Sequence, residues 1–458
     1  MPPQLALFLC ILIILYLLFT ESNNKSDVTI ALLIPLMWFL IIGSRPLSAW
    51  LDLGPTFESP ADILEGSPFD RAVFTTLIVL ALYILLRRNI DWSQIVKNNI
   101  WIVLLLLYAG ISTLWSDFHW VSFKRWIKAV GEFGLVLVVL TEPKPSEALV
   151  TMIRRGSFIL IPLSVLLIKY YPDLGKLYGQ WEGDAAYSGV AVNKNFLGIL
   201  CMICGLIFVW SLFTARKRMD GYHLKKEVLQ YILLLGMIFW LFIKADSATS
   251  FVCFILGCCI VVGTGLPVVK KNVSHIGTFI FVTIGVFLLF EATFDVSKLV
   301  ISSMGRDMTL TGRTELWSLL IDMQTNPLIG TGFESFWLGE RAQKLWDIYW
   351  WRPNEAHNGY LETYLNLGWI GLLLLLGVII SCWRKIRRRI IAGSDFVRLQ
   401  LAFFCIALLY NITEAGFREL TPMWFMFLLI VVDPPHHMVM SNAMISLNDN
   451  IRINNTKE

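Results

Sequence analysis

The sequence predicts an all-α, polytopic integral membrane protein of about 12–13 transmembrane helices, with one long extracytoplasmic loop. Three observations predict it. The 458 residues are 56% hydrophobic and 16% charged, with a mean hydropathy of +0.64, outside the usual range for a soluble globular domain. Apolar runs of bilayer length recur along nearly the whole chain and leave no room for a separate soluble catalytic domain. The one long interruption, from Met304 to Gly371, is polar, aromatic and rich in Arg and Gly, and is too long to be a simple connector.

Taken in order, the apolar runs lie at about Leu5–Phe19, Thr29–Gly43, Ala72–Leu86, Ile100–Leu114 and Trp126–Leu140. Phe158–Lys169, Phe196–Phe213, Leu229–Ile243, Phe251–Val268 and Ile276–Glu291 follow, then Leu367–Cys382, Leu399–Ile412 and Met423–Val432. The first run has no basic residues before it and no small-residue cleavage site after it, so a retained helix is expected there. Short basic loops (Arg87-Arg88, Arg154-Arg155, Arg216 to Arg218, Lys270-Lys271 and Arg384 to Arg389) face the cytoplasm under the positive-inside rule. Alternation then puts the segments Asp52–Asp70, Tyr170–Lys194, Lys244–Ser250 and Met304–Gly371 together on the outer side. Counting every run leaves the N-terminus outside, and one early span is open to being re-entrant or split. Residues 1–441 are expected to form one membrane domain, with 293–366 as its catalytic loop and 442–458 as a polar, flexible tail.

Composition excludes several classes. A net charge of +4 without a basic stripe gives no reason to expect nucleic acid. All eight cysteines lie in apolar segments, where free Cys behaves as a small hydrophobe, and Cys201-x-x-Cys204 sits at helical spacing inside a span. His436-His437 has no carboxylate or cysteine at ligand spacing, and there is no P-loop, nucleophile elbow or paired-aspartate motif. The chemistry is expected to use Arg and His, with no metal and no cofactor.

Within the long loop, Leu316, Leu319, Leu320 and Met323 recur at helical spacing from about Thr311 until Asn326-Pro327. A cation in the first turn opposes the helix dipole, so Arg313 there calls for a bound anion or for pairing with Asp307, Glu315 or lipid headgroups. Arg306 stands close enough in sequence to join it. Trp346, Tyr349, Trp350 and Trp351, interspersed with Arg341, Lys344 and Arg352, read as an interfacial belt or as a sugar-stacking surface. His357 precedes the helix that enters the bilayer near Leu367, and the dipole at a helix start would keep it neutral and able to take a proton from a hydroxyl. Asn358, Glu355 and Glu362 are near enough in sequence to orient it.

These residues resemble the O-antigen ligase and polymerase superfamily of bacterial polysaccharide assembly. The motif is His357-Asn358, nine residues, Gly368, two residues, Gly371; Met304 through Trp317 looks like the version in succinoglycan-type exopolysaccharide polymerases, and Asn193-Lys194-Asn195-Phe196 resembles another motif of that branch. The resemblance implies a GT-C-like, metal-independent, inverting glycosyltransferase of the bacterial inner membrane with its site facing the periplasm or exterior. Its donor would be a glycan on undecaprenyl pyrophosphate and its acceptor a sugar hydroxyl, with chain-length regulator and flippase proteins as neighbours. It implies that Arg313 engages the pyrophosphate and His357 activates the acceptor, supported by Asn358, Asp307, Asn193, Asn195, Glu362 and Trp317. Where many relatives carry an arginine this chain has Ala248, so Arg306, Lys194 or Lys244 is expected to supply the second donor contact. Polymerase is the expected activity. A ligase acting on lipid A core or a protein is the alternative within the class, and a lipid-linked oligosaccharide transporter the alternative outside it.

Overall fold

In a computed structural model the described residues are 1–23, 28–53, 67–178, 185–218, 222–266, 313–323, 326–349, 351–391 and 394–434. Among them the chain is almost entirely helical, as expected; the one sheet is a hairpin, Lys176–Tyr178 against Ala185–Tyr187. The helices are α1 (Pro3–Asn23), α2 (Leu33–Ile42), α3 (Leu47–Trp50), α4 (Pro68–Arg87), α5 (Trp92–Asn98), α6 (Ile100–Ser112), α7 (His119–Leu140), α8 (Pro145–Tyr170) and α9 (Pro172–Gly175). They continue as α10 (Lys194–Arg218), α11 (Tyr222–Ala245), α12 (Ala248–Gly263), α13 (Arg313–Asp322), α14 (Gly339–Ile348), α15 (Gly359–Ile391), α16 (Phe396–Thr413) and α17 (Pro422–Val431).

Every apolar run of the sequence falls on one of these helices, except Ile276–Glu291, which lies outside the described residues, as do His436-His437 and the tail from 442. Among the described residues, seven helices are long and apolar enough to cross a bilayer, or eight if α5 and α6, bent by 91°, count as one span. The difference from about 12–13 has a physical source. The segments Ile30–Ile42, α12 and α17 are apolar but short, and α7 carries Lys124, Arg125, Lys128 and Glu132 through its first half.

The ends of the bundle are chemically distinct. At one end Glu21 pairs with Arg154 at 2.8 Å and Arg155 at 2.6 Å, Arg88 pairs with Glu142, and Lys385 reaches Asp433 at 3.3 Å. At the other, Arg45 donates to the carbonyls of Leu174 and Gly189, Lys194 meets Asp246, and the hydroxyls of Thr249 and Thr413 are 3.1 Å apart. The first turns of α1 pack on Leu166 and Tyr170 at that second end. The N-terminus therefore shares an end with the polar segments, and α5 and α6 meet at a bend of 91°. Close helix approach uses small residues, as membrane packing favours: Gly156 faces the Phe39 ring and Gly377 the Trp101 ring.

The segment read as a loop is, over its described residues between 313 and 366, a small folded cap with its own apolar core of Leu316, Leu320, Phe336, Trp337, Leu345, Ala356 and Leu365. The cap is joined to the bundle at a break in α15. Gly368 takes φ 64°, and the opened backbone is satisfied by residues 326–332: Thr331 N–H donates to Leu365 O at 3.1 Å, Gly332 N–H to Asn366 O at 2.9 Å, and Trp369 N–H to Pro327 O at 2.8 Å. Interior helix breaks are tolerated only where neighbouring groups re-satisfy the freed amides. A Cβ on Gly368 would stand 2.3 Å from the Leu328 carbonyl carbon, so the glycine is needed both for its φ and for the approach.

Gly368→Ala is therefore expected to destabilise the protein by at least about 1–3 kcal/mol, seen as a lower midpoint of thermal unfolding in detergent. Gly236→Ala, at a helical site with nothing within 4 Å of the added Cβ, should leave the midpoint unchanged or raise it.

Candidate active site

Three segments distant in sequence meet at the mouth of the bundle beneath the cap. α16 ends at Thr413 and hands over to Glu414, whose carbonyl accepts from Gly359 N–H at 3.1 Å. That bond ties the end of α16 to the start of α15. Asn358 caps α15, its Oδ1 accepting from the amides of Tyr360 and Leu361 at 3.0 Å each while its Nδ2 donates to Ile412 O at 3.1 Å. Gly359 has no room for a side chain, because a Cβ would lie 1.9 Å from Asn411 Oδ1.

His357 is held just before this cap in a left-handed backbone conformation, φ 48°. Its flanks are fixed from two sides. Trp317 of α13 donates its indole N–H to Ala356 O at 2.6 Å. Glu362, buried in the first turn of α15, accepts from Ala356 N–H at 2.6 Å and from Trp337 Nε1 at 2.9 Å. Trp317 and Glu362 thus act through the residue preceding the histidine.

The side chains then converge on one carboxylate. Glu414 Oε1 accepts from Arg313 at 3.0 Å and Glu414 Oε2 lies 3.4 Å from His357 Nδ1, while the Arg313 guanidinium also donates to Thr413 O. Asn195 adds a third donor to Oε1 at 3.4 Å. Glu355 Oε1 is 3.0 Å from the same His357 nitrogen, and Arg418 stands 3.7 Å from Glu355 and 3.2 Å from Glu334. Arg125 of α7 donates to the Glu334 carbonyl. Asn193 caps α10 through Phe196 N–H at 2.9 Å and, with Asn195, lines a small cavity shared with Glu355 and Glu414. Its volume of about 10 Å³ is room for no more than about one water, so the cluster is packed, and a substrate must meet it from its open side.

This arrangement corrects the expected charge of His357. The helix dipole favours a neutral ring, and burial also pushes the pKa down. Hydrogen bonds and charge from Glu355 and Glu414 outweigh both, so that it stands at about 9. The resting side chain is an imidazolium. Glu355 is half-buried, and its desolvation alone would raise its pKa, but His357, Arg418 and Arg313 hold it below the usual carboxylate range. Arg418 is likewise shifted up by Glu334, Glu362 and Glu355 against the cost of burial.

Of the residues singled out in the sequence, Arg313, His357, Asn358, Asn193 and Asn195 are brought together, with Trp317 and Glu362 behind them. Lys194 and Lys244 go elsewhere. Lys194 lies 3.7 Å from Asp246 with both side chains well exposed, a contact worth at most about 1 kcal/mol. Lys244 sits over the Tyr187 and Trp240 rings at 5.0 and 5.9 Å. Arg306 and Asp307 lie outside the described residues. Sequence reading missed Glu414, Arg418 and Glu334; the signal was the charged stretch Glu414 to Glu419 between two apolar runs.

Glu355, His357 and Glu414 place ligand atoms within 4.8 Å of one another, a donor set that suits a divalent ion. Arg313 pairs with Glu414 at 3.0 Å, and Arg418, which pairs with Glu334 at 3.2 Å, stands 3.7 Å from Glu355.

Residues 196–376 match the family described as O-antigen ligase, a stretch that begins at Phe196 beside Asn195 and contains Arg313, His357, Gly368 and Gly371. The chain is 23% identical over 351 residues, 73% of its length and 76% of the relative's, to "Exopolysaccharide production protein ExoQ" of Rhizobium meliloti (strain 1021). Together with the membrane helices, these matches support a multi-pass membrane enzyme of polysaccharide processing.

Glu414→Gln removes the charge shared by Arg313 and His357. His357 should then titrate below 9, toward the ordinary 6.5, as read by NMR of protein labelled at histidine. In the unaltered protein the raised value adds stability that is complete below pH 6.5 and is lost as pH rises through about 9; Glu414→Gln should flatten that part of the stability profile.

Proposed function

From an O-antigen ligase domain set in an all-α membrane chain, we propose that the protein is a polysaccharide polymerase. It transfers a glycan from undecaprenyl pyrophosphate to a sugar hydroxyl of a second chain, on the outer face of the bacterial inner membrane. The observation that carries this reading is the link Arg313–Glu414–His357, which sets a guanidinium and a histidine ring on the two oxygens of one carboxylate.

As the anomeric C–O bond breaks, negative charge grows on the pyrophosphate. Arg313, with its forked donors, stabilises that charge most strongly in a water-poor site. Glu355 and Glu414 both address Nδ1 of His357, which leaves Nε2 for the acceptor hydroxyl. Once neutral, Nε2 takes the hydroxyl proton as the oxygen attacks from the face opposite the leaving group, and the two carboxylates stabilise the imidazolium that results. Attack from that face inverts the anomeric carbon. This reading uses no metal: Arg313 offsets the charge of Glu414, and His357 and Arg418 stand beside Glu355.

Met304 through Trp317 favours polymerase over ligase, in keeping with the exopolysaccharide relative. Transport is disfavoured by placement: transporters gather charge at the bilayer midplane, whereas Arg313, His357 and Glu414 lie at helix ends.

His357→Ala and Arg313→Ala should each abolish elongation, by about a hundredfold or more, while the protein remains in the membrane. Near-normal chain lengths from either purified variant would sink the assignment. Product from the unaltered enzyme should run as a ladder of repeat units; one attachment per acceptor would mean a ligase, and no turnover in detergent a transporter.

The rate should climb with pH up to about 9, as the imidazolium gives up its proton, and should survive chelation with EDTA. Loss of turnover on chelation would instead mean that Glu355, His357 and Glu414 hold an ion.

A further inference from the structure

We propose that the end of α15 remote from His357 binds an anionic phospholipid bearing two phosphates, such as a diphosphatidylglycerol. The reading is independent of glycan transfer. A cavity of about 700 Å³ lies between the bent pair α5–α6 and the last turns of α15, within the roughly 300–1,000 Å³ typical of small-molecule sites. Its lining is divided as a lipid is divided. Trp101, Leu373, Leu376 and Ile380 give it an apolar side that the bundle leaves exposed, Leu373 by 63%. Lys97, Arg384 and Arg388 form its rim, exposed and with no acidic partner among the described residues.

Deeper in the cavity, Lys385 and Arg389 share one acid, Asp433. Five cations thus face one carboxylate, a formal excess of four charges (five less one). Two phosphodiesters carry two negative charges, so a diphosphate headgroup fits where a single phosphate leaves most of the excess unmatched. A second observation points to a polar ligand. The Asn98 amide nitrogen on the same wall is buried, with no hydrogen-bond partner among the described residues. A buried donor is costly to leave unpaired, and a turn of the Asn98 side chain toward the cavity would pair it with a phosphate or glycerol oxygen. Basic residues that served only to orient the chain in the membrane would need neither the cavity nor the orphan donor. Basic pockets between transmembrane helices are a known kind of headgroup site.

The test uses the full chain in detergent. Added diphosphatidylglycerol should raise the midpoint of thermal unfolding, and phosphatidylcholine should not. The variant Lys97→Gln/Arg384→Gln/Arg388→Gln should bind diphosphatidylglycerol on the order of 100-fold more weakly in native mass spectrometry, at about 1 kcal/mol per cation. Ser381→Trp keeps every charge but fills the groove, and should lose binding as well; it decides the matter alone if the triple variant does not fold. Equal stabilisation by phosphatidylcholine, or full binding by either variant, would overturn the proposal.

Discussion

The site depends on one carboxylate. Glu414 is 6% exposed, and its two oxygens face opposite ways, one toward Arg313 and one toward His357. A charge so far from water is stable only while its partners are in place, and removing one partner of such a pair typically costs about 3–5 kcal/mol. The start of α13, the cap of α15 and the end of α16 are therefore fixed relative to one another. Arg313 and His357, 44 positions apart (357 less 313), are positioned by a third residue that belongs to neither segment.

The break in α15 serves the same end. A straight helix from Gly359 would carry the Leu365 and Asn366 carbonyls along its own axis; the left-handed turn at Gly368 releases them to residues 331 and 332. The cap is thereby hydrogen-bonded to the helix whose start His357 and its capping neighbour Asn358 immediately precede. Asn366 strengthens the joint, its Oδ1 accepting from the amides of Ser335 and Phe336 at 3.0 and 3.1 Å. The paired glycines of the His-Asn motif thus have a structural task, Gly368 for the bend and Gly371 for close packing on Leu367.

Fold class was legible because a chain of this hydropathy has one solvent it can fold in, and the helices follow from the need to satisfy backbone groups in lipid. Span lengths were less so. Hydropathy reports composition, and the buried α17, at ten residues, shows that a helix walled in by protein need not match the bilayer. Arg313 and His357 were legible as chemical types out of place, a cation at a helix start and a histidine in an outer loop. Glu414 was not, since its meaning lies in what α16 brings to it. The charge of His357 was misread for a related reason: the dipole is a local effect that sequence displays, whereas Glu414 is 57 positions away, and at 3.4 Å it and the nearer Glu355 outweigh the dipole.

The resting charge of His357 bears on how the proposed reaction uses it. Arg313, Arg418 and protonated His357 face Glu334, Glu355 and Glu414, three cations against three carboxylates. This balance suits the imidazolium, which is the state His357 reaches after it has taken the acceptor's proton. The folded site therefore matches the charge pattern late in the reaction, the condition under which binding groups accelerate chemistry. Starting from neutral His357 at pH 7 carries a free-energy cost, because the ring's pKa is raised to about 9, and the same strong proton affinity acts on the acceptor hydroxyl in the transfer step. In the proposed reaction an incoming pyrophosphate competes with Glu414 for Arg313. When it succeeds, Glu414 is left with His357 as its main charged partner, so occupancy of the donor side alters the base on the acceptor side. The two halves of the site are coupled through the one carboxylate they share.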